Sequence, residues 1–499
     1  MAKKLRAANS IDKISELPTD ILHKILYYLS HKEAVRTSLL SKAWRYIWCT
    51  LPNLDFSDTS AFTNKQHFVS IVNSNLQRYF DQRTCLQELH LSISLNHSDR
   101  GLVSLLKRWI PLLKNMGTKK FCLSIRSARH IRACVELPSV VFGAESLHYL
   151  HVQRFVLGQK AIQGLVIFKH LKSLHLQQVC IDEDIFHKII LSCPSIETMR
   201  VDRCMRLRKI KGNDLRNLKD FFFSRFQNVA FKEGLCRIEI HPPSIEKINI
   251  TCGDLWLQRG ANFLNLKDLC LRLVRSSLDH LSSCKFPCLR SLKIWECEGL
   301  KESHIFIDAP KIVYFEYGGD FVPHISIIAT SSRVWDSYLN LRFSKVTSLW
   351  YFKLNKLLKL LSHSNICVEI NQYSMKYRDM IVQENINLGQ DDNCDKPVVV
   401  ERLSLRCHVS LFSSLLEGTF RICRPRNIGD YHYRGDIKRI ECLWKILMKR
   451  ESGREDRKFS EVRMEIYERN KDLWHPTTLS QLPNYQPGEY TVTRFAIKW

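Results

Sequence analysis

Apolar residues recur along this chain with two different periods, and the change from one to the other divides it. In the stretch "LPTDILHKILYYLSHKEAVRTSLLSKAWRYIW", Leu17 to Trp48, they fall at helical spacing. Ile21, Leu22, Ile25, Leu26 and Leu29 occupy i, i+1, i+4, i+5 and i+8, a broad stripe on one helical face. Pro18 suits the first turn, where a missing N–H leaves no bond unmade. A second helix is predicted over 30–40, with Ser30 as its cap and Val35, Leu39 and Leu40 facing inward. Ser41 caps a third, which carries Trp44, Ile47 and Trp48. Three short helices enclose a very small core, and modules of this size gain stability by docking onto another surface.

Farther along, the period drops to two. The phrases "LQELHL", "TKKFCL", "LHYLHV", "LKSLHL", "IETMRV", "LKDFFF", "IEKINI", "LKDLCL", "LRSLKI" and "IVYFEY" begin at residues 86, 118, 147, 171, 196, 218, 245, 266, 289 and 312. Most of the gaps between these starts lie within or near the 20–29-residue period of leucine-rich repeats. The fourth and sixth positions are apolar throughout. The fifth positions (His90, Cys122, His151, His175, Arg200, Phe222, Asn249, Cys270, Lys293, Glu316) and the seventh are mostly polar. Such alternation predicts short strands with one face buried, stacked in parallel into a curved sheet whose concave side presents the fifth and seventh positions. Cys204 and Cys297 occupy the slot two residues past a strand, where these repeats favour asparagine or cysteine. In "DEDIFHKIILSCPS", Ile185, Ile189 and Ile190 predict a convex helix.

Beyond Gly319 the phrase fades. "VTSLWYFKLNKLLKLLSHSN" and "GDIKRIECLWKILMKRE" predict helices. "ICVEIN" and "VERLSLR" predict strands, the latter with Val400, Leu403 and Leu405 inward. "NINLGQDDNCDKP" and "KRESGREDRK" are expected loops. The closing region is expected to cap the repeat edge.

Composition narrows the function classes. The chain has 499 residues, 45% hydrophobic and 25% charged, the balance of a folded soluble protein. "MAKKLRAANS" has no apolar signal core, and the longest charge-free apolar run, "FVPHISIIATSS", is too short to span a bilayer. No membrane association is expected, and the expected location is the cytoplasm and/or nucleus. The 18 cysteines are scattered without CxxC spacing, the closest pair being Cys284 and Cys288, which predicts reduced structural thiols and no metal. Seventy-five Lys and Arg against 50 Asp and Glu leave +25, which favours an acidic partner.

The opening segment resembles an F-box of the plant type. A Leu-Pro start and a hydrophobic first helix lead into an ending of the "LLSKxWRxxW" kind, with Leu17, Pro18, Ile21, Leu22, Ile25, Leu29, Leu40, Ser41, Trp44, Arg45 and Trp48 in register. Ala43 stands where arginine is frequent. "LPNLDFS", and more loosely "FRICRPRNI", "LWKILMKRE" and "TRFAIKW", resemble plant F-box/leucine-rich-repeat proteins of the FBD-like kind. The resemblance implies an α/β architecture: a three-helix F-box over 11–58, an irregular leucine-rich-repeat solenoid over 59–320, and a repeat continuation with an α+β cap over 321–499. It also implies docking to a Skp-family adaptor and, through it, to a cullin. Leu17, Pro18, Ile21, Leu22, Ile25, Leu29, Leu40, Ser41, Trp44 and Trp48 are then the adaptor-binding candidates. The chain would be a non-catalytic substrate-recognition subunit of an SCF-type ubiquitin ligase that binds a target protein and needs no cofactor. The competing expectation is a basic repeat scaffold binding nucleic acid or acidic partners without a ligase role.

Catalytic motifs are missing from the sequence: there is no GxGxxG, P-loop, HExxH or GxSxG. His148 and His151 in "HYLH" point to opposite faces of a strand and cannot easily share a metal. His90, His151 and His175 share the fifth position and line up as a surface row. "RVDRCMRLRKIK" groups Arg200, Arg203, Arg206, Arg208 and Lys211. With His151 and His175 these form the target-binding candidates, since grouped arginines hold phosphorylated or acidic peptides through bidentate contacts. No nucleic-acid motif or aromatic-basic interleaving accompanies them, which argues against nucleic acid.

Overall fold

The computed structural model describes residues 14, 16–29, 31–56, 65–94, 102–126, 135–163, 168–227, 234–329, 334–372, 396–432, 436–452, 459–469, 471–482 and 490–499. The chain divides into two compact units, Met1–Cys236 and Arg237–Trp499.

The first unit opens with α1 (Thr19–Tyr27), α2 (His31–Thr37) and α3 (Lys42–Cys49). Pro18 sits one residue ahead of α1, and its carbonyl accepts from the N–H groups of Ile21 and Leu22 at 3.0 and 3.1 Å. Ser41 caps α3 as predicted, its Oγ accepting from the Trp44 N–H at 3.2 Å; Ser30 lies outside the described residues. Leu22, Leu26, Ala34, Trp44, Ile47 and Leu51 form the core, with Ile25, Leu29 and Trp48 packed against it. The second helix ends at Thr37 rather than continuing to Leu40. The hydroxyls of Thr37 and Ser38 donate to the carbonyls of Ala34 and Val35 at 2.7 and 2.6 Å, a local bonding pattern that competes with a further helical turn. Leu39 and Leu40 therefore lie in a turn and face outward, contrary to the expectation from spacing.

Seven strands of the main sheet follow among the described residues: β1 (Asn53–Phe56), β2 (Glu88–Ser94), β3 (Lys120–Arg126), β4 (Tyr149–Gln153), β5 (Ser173–Gln177), β6 (Thr198–Asp202) and β7 (Asp220–Ser224). Each pairs in parallel with the next. The register sets His90, Cys122, His151, His175, Arg200 and Phe222 side by side across adjacent strands. β1 was not anticipated as part of the sheet. Helices α4 (Lys65–Asp81), α5 (Leu102–Asn115) and α6 (Glu183–Leu191) belong to the connections, and Ile185, Ile189 and Ile190 are buried as their spacing predicts.

The second unit continues the pattern with β8 (Lys247–Thr251), β9 (Asp268–Arg272), β10 (Ser291–Trp295), β11 (Tyr314–Gly319), β12 (Trp335–Phe343), β13 (Ser364–Gln372), β14 (Val398–Arg406) and β15 (Cys423–Tyr431), again parallel and sequential. All ten predicted phrases are strands, and their twenty fourth- and sixth-position side chains are buried. The ladder does not stop where the leucine phrase fades. β12 alternates buried and more open residues, but its Trp, Tyr and Asn disguise the repeat. Val400, Leu403 and Leu405 on β14 are buried as expected. α7 (Ser348–Leu360) and α9 (Ile437–Ser452) match predicted helices, whereas α8 (Phe412–Ile422) was not foreseen. The expected loops 385–397 and 449–458 lie mostly outside the described residues.

β16 (Glu461–Glu468), β17 (Leu473–Pro476) and β18 (Tyr490–Lys498) form the cap. β18 pairs antiparallel with β15, placing Ile428 opposite Phe495, and β16 pairs antiparallel with both β18 and β17. The edge that β15 would offer is thereby occupied.

A recurrent turn closes six of the strands. Arg154, Gln178, Arg203, Cys252, Leu273 and Glu296 all have positive φ, between 52° and 63°. Each stands eight residues into its phrase, and each N–H donates to a carbonyl of the next strand, at 2.6 to 3.0 Å. The left-handed conformation costs an L-residue about 1–2 kcal/mol, which the ladder bond offsets. Next to these turns, the thiols of Cys204 and Cys297 donate to the carbonyls of Leu176 and Leu271 at 3.4 and 3.6 Å, as the asparagine-or-cysteine slot predicts. Burial pushes both thiols up to about 12.

Candidate functional site

The structure sorts the ten adaptor-binding candidates by exposure. Leu17, Pro18, Ile21, Leu40 and Ser41 are exposed; Ile25, Leu29 and Trp48 are half-buried; Leu22 and Trp44 are buried. Leu22 and Trp44 build the helical core, on the inner faces of α1 and α3 beside Leu26 and Ile47. Trp48 turns toward the repeats: the Arg78 guanidinium lies 4.7 Å from its ring centre. The buried Tyr79 hydroxyl donates to the Leu51 carbonyl at 2.6 Å, fastening the module to α4. Tyr28, Leu39 and Leu40, at 84%, 83% and 72% exposure, dominate the open surface together with Tyr27 and Tyr46. Of these five, only Leu40 is among the ten adaptor-binding candidates. The tandem Tyr27-Tyr28 just past the apolar stripe of α1 was the available signal for two of the others. Large apolar groups left open on a folded module mark a contact surface.

On the sheet, His151 and His175 stack face to face, centroids 4.1 Å apart and 8° from parallel. Next in register, the Arg200 guanidinium lies 4.5 Å from the Phe222 ring centre. Burial, then the neighbouring His151 and Arg200, pushes His175 down to about 4, and burial also lowers His90 and His151. These imidazoles are neutral near pH 7, so Arg200 carries the charge of that row. Below it, Asp202 accepts from Gln177 at 3.0 Å, Ser224 at 2.5 Å and Arg203 at 2.9 Å. In the second unit, Glu316 meets Lys293 at 3.3 Å, and Glu369 accepts from Tyr338 at 2.5 Å and Asn371 at 2.9 Å. Among the described residues no three His, Cys, Asp or Glu side chains are placed to hold a metal ion.

Two known families match this chain. Residues 14–56 match the F-box domain, and residues 106–238 match the repeats described as "FBD-associated F-box protein At5g56370, LRR repeats". The chain carries an F-box followed by leucine-rich repeats. Among curated Arabidopsis thaliana proteins, it is 31% identical to the FBD-associated F-box protein At5g44490 over 234 residues, 46% of each chain. It is 30% identical to the FBD-associated F-box protein At5g56370 over 280 residues, 56% of each. It is 27% identical to the F-box/FBD/LRR-repeat protein At4g26340 over 248 residues, 48% of this chain and 55% of that one. The matched region thus spans about half the length of these relatives.

In the F-box/LRR frame, the basic run 200–211 does not converge on one spot. Arg200 stands on β6, and Arg203 is paired with Asp202 and lies 5.3 Å from the Phe226 ring centre. Arg206 is 3.9 Å from Asp182, which directly precedes α6. The Lys211 N–H donates to His187 of α6 at 3.1 Å, and Arg208 is exposed. The run starts on the sheet face and ends beside α6, so consecutive residues diverge. His151, His175 and Arg200, by contrast, are brought together by strand register from three different repeats. Among the described residues no helix is long and apolar enough to cross a membrane.

Proposed function

We propose that this chain is the substrate-recognition subunit of an SCF-type ubiquitin ligase, with the F-box binding a Skp-family adaptor joined to a cullin. The observation that carries the reading is an F-box whose core is complete while Leu17, Ile21, Tyr28, Leu39 and Leu40 stay open. Covering those side chains with adaptor helices gains apolar burial that the module cannot obtain by itself. The repeats hold a target protein on the sheet face, where His151, His175 and Arg200 of the first unit offer flat rings and one cation. The mechanism is proximity: a target held near a charged conjugating enzyme reacts at a raised effective concentration, and the chain itself performs no chemistry. Such a subunit acts in the cytoplasm and/or nucleus.

The test is co-expression of the full chain with a Skp-family adaptor. Co-elution at fixed stoichiometry is expected, and loss of co-elution for Leu17→Asp/Ile21→Asp with an unchanged thermal melt. A wild-type chain that elutes free of the adaptor refutes the reading.

A further inference from the structure

A pocket of about 450 Å³ opens at the N-terminal ends of β3, β4 and β5, lined by Lys119, Glu145, Ser146, His148, Lys169 and His170. It lies at the strand ends opposite the left-handed turns. The second residues of successive phrases, Lys119, His148, Lys172, Glu197 and Lys219, form a regular row along this edge. The N–H of each later one donates to the carbonyl of the one before, at 2.7 to 2.8 Å. At the far end of the row the charges are closed: Glu197 meets Lys172 at 3.2 Å and Lys219 at 2.9 Å. At the near end they are open. Neither Lys119 nor Lys169 pairs with a carboxylate among the described residues, and Glu145, though it lines the pocket, pairs with neither. His148 is oriented by a 2.9 Å hydrogen bond from Nδ1 to the Ser146 carbonyl and stacks on His170, centroids 5.6 Å apart and 11° from parallel.

We propose that this pocket binds a phosphate group, carried by a phosphorylated side chain or by a small soluble phosphate. Two ammonium groups, unpaired among the described residues, outweigh the single carboxylate. A dianion with three terminal oxygens satisfies more of those donors than a carboxylate does. The position supplied by Glu197 farther along the same edge is here left for a ligand. This inference does not rest on the ligase reading, because it needs no adaptor.

The test is isothermal titration of the full chain, without adaptor, at fixed ionic strength. The probes are a neutral Gly-Ser peptide carrying one phosphoserine, the same peptide unphosphorylated, and inorganic pyrophosphate. Saturable binding of the phosphopeptide but not of its unphosphorylated form is expected. Lys119→Ala/Lys169→Ala weakens it about tenfold or more, while Lys172→Ala, which removes a lysine already neutralised, changes it less than about twofold. Circular dichroism melts confirm that both variants fold. Pyrophosphate binding with the same variant pattern but no phosphopeptide binding supports the site and assigns it to a small phosphate. No saturable binding of either phosphate probe, or equal weakening by Lys172→Ala, overturns the proposal.

Discussion

Replacing Leu39 and Leu40 with alanine separates the proposed docking face of the F-box from its core. Both side chains are mostly open, at 83% and 72%, so the isolated fold has little to lose. Exposed substitutions of this kind shift stability by about 0.5 kcal/mol or less. Each Leu→Ala change removes three carbons, worth about 2 kcal/mol when the site is fully covered by a partner. Together the two give about 4 kcal/mol, which corresponds to a weakening of adaptor binding by up to about three orders of magnitude. Leu22→Ala is the control. That side chain is 4% exposed inside the core, and its loss costs about 2–5 kcal/mol of module stability. Adaptor affinity is measured by calorimetry on the full chain, and folding by thermal melt. The double variant should bind weakly and melt normally, while Leu22→Ala should melt early. An unchanged affinity for Leu39→Ala/Leu40→Ala would refute the assignment of that face. So would a melt lowered as far as that of Leu22→Ala.

Four further outcomes are expected. In Gly299→Ala the new Cβ would lie 1.8 Å from the Ser276 carbonyl oxygen, so backbone must move, and urea denaturation should register a loss of about 1–3 kcal/mol or more. Gly143→Ala, with nothing within 4 Å, should stay within about 1 kcal/mol of the parent by the same measurement. His175 is held near 4 in the folded chain against 6.5 ordinarily, so the unfolded chain takes up its proton first. Stability from this residue is complete above about pH 6.5 and falls away toward pH 4; a His175→Gln melt that drops as steeply between pH 7 and 5 as the parent's would count against this. Tyr79→Phe strips the Leu51 carbonyl of its buried donor and should cost about 1–3 kcal/mol, read as an earlier loss of tryptophan fluorescence change on titration with urea. A midpoint equal to the parent's would show that the bond fastening the helical module to α4 adds nothing.

The strands were legible because alternation is a property of the extended chain itself. Any residue at the fourth or sixth position of a phrase must face the same side, and leucine or its equivalents at both leave one arrangement that keeps them dry. That is why Leu150 and Val152, or Leu292 and Ile294, could be placed before any contact was known. The same argument failed for β12, where Trp335, Tyr338 and Asn340 hide the phrase although burial still alternates. It also missed β1, which is too short to alternate visibly.

By itself the sequence determined the repeating strand, the cysteine slots and the presence of a small helical module whose apolar stripe exceeds what it can bury. Tertiary structure alone decided which apolar residues of that module are core and which are surface. Leu22 and Leu40 are alike as residues; the difference is that Thr37 and Ser38 turn their hydroxyls back on α2 and end it before Leu40 can rotate inward. Only the parallel register could bring Lys119 and Lys169, fifty positions apart, to one pocket while closing Lys172 against Glu197. Spacing along a chain sets direction within one element, but which charges end as neighbours depends on how separate elements stack, and that is a property of the folded whole.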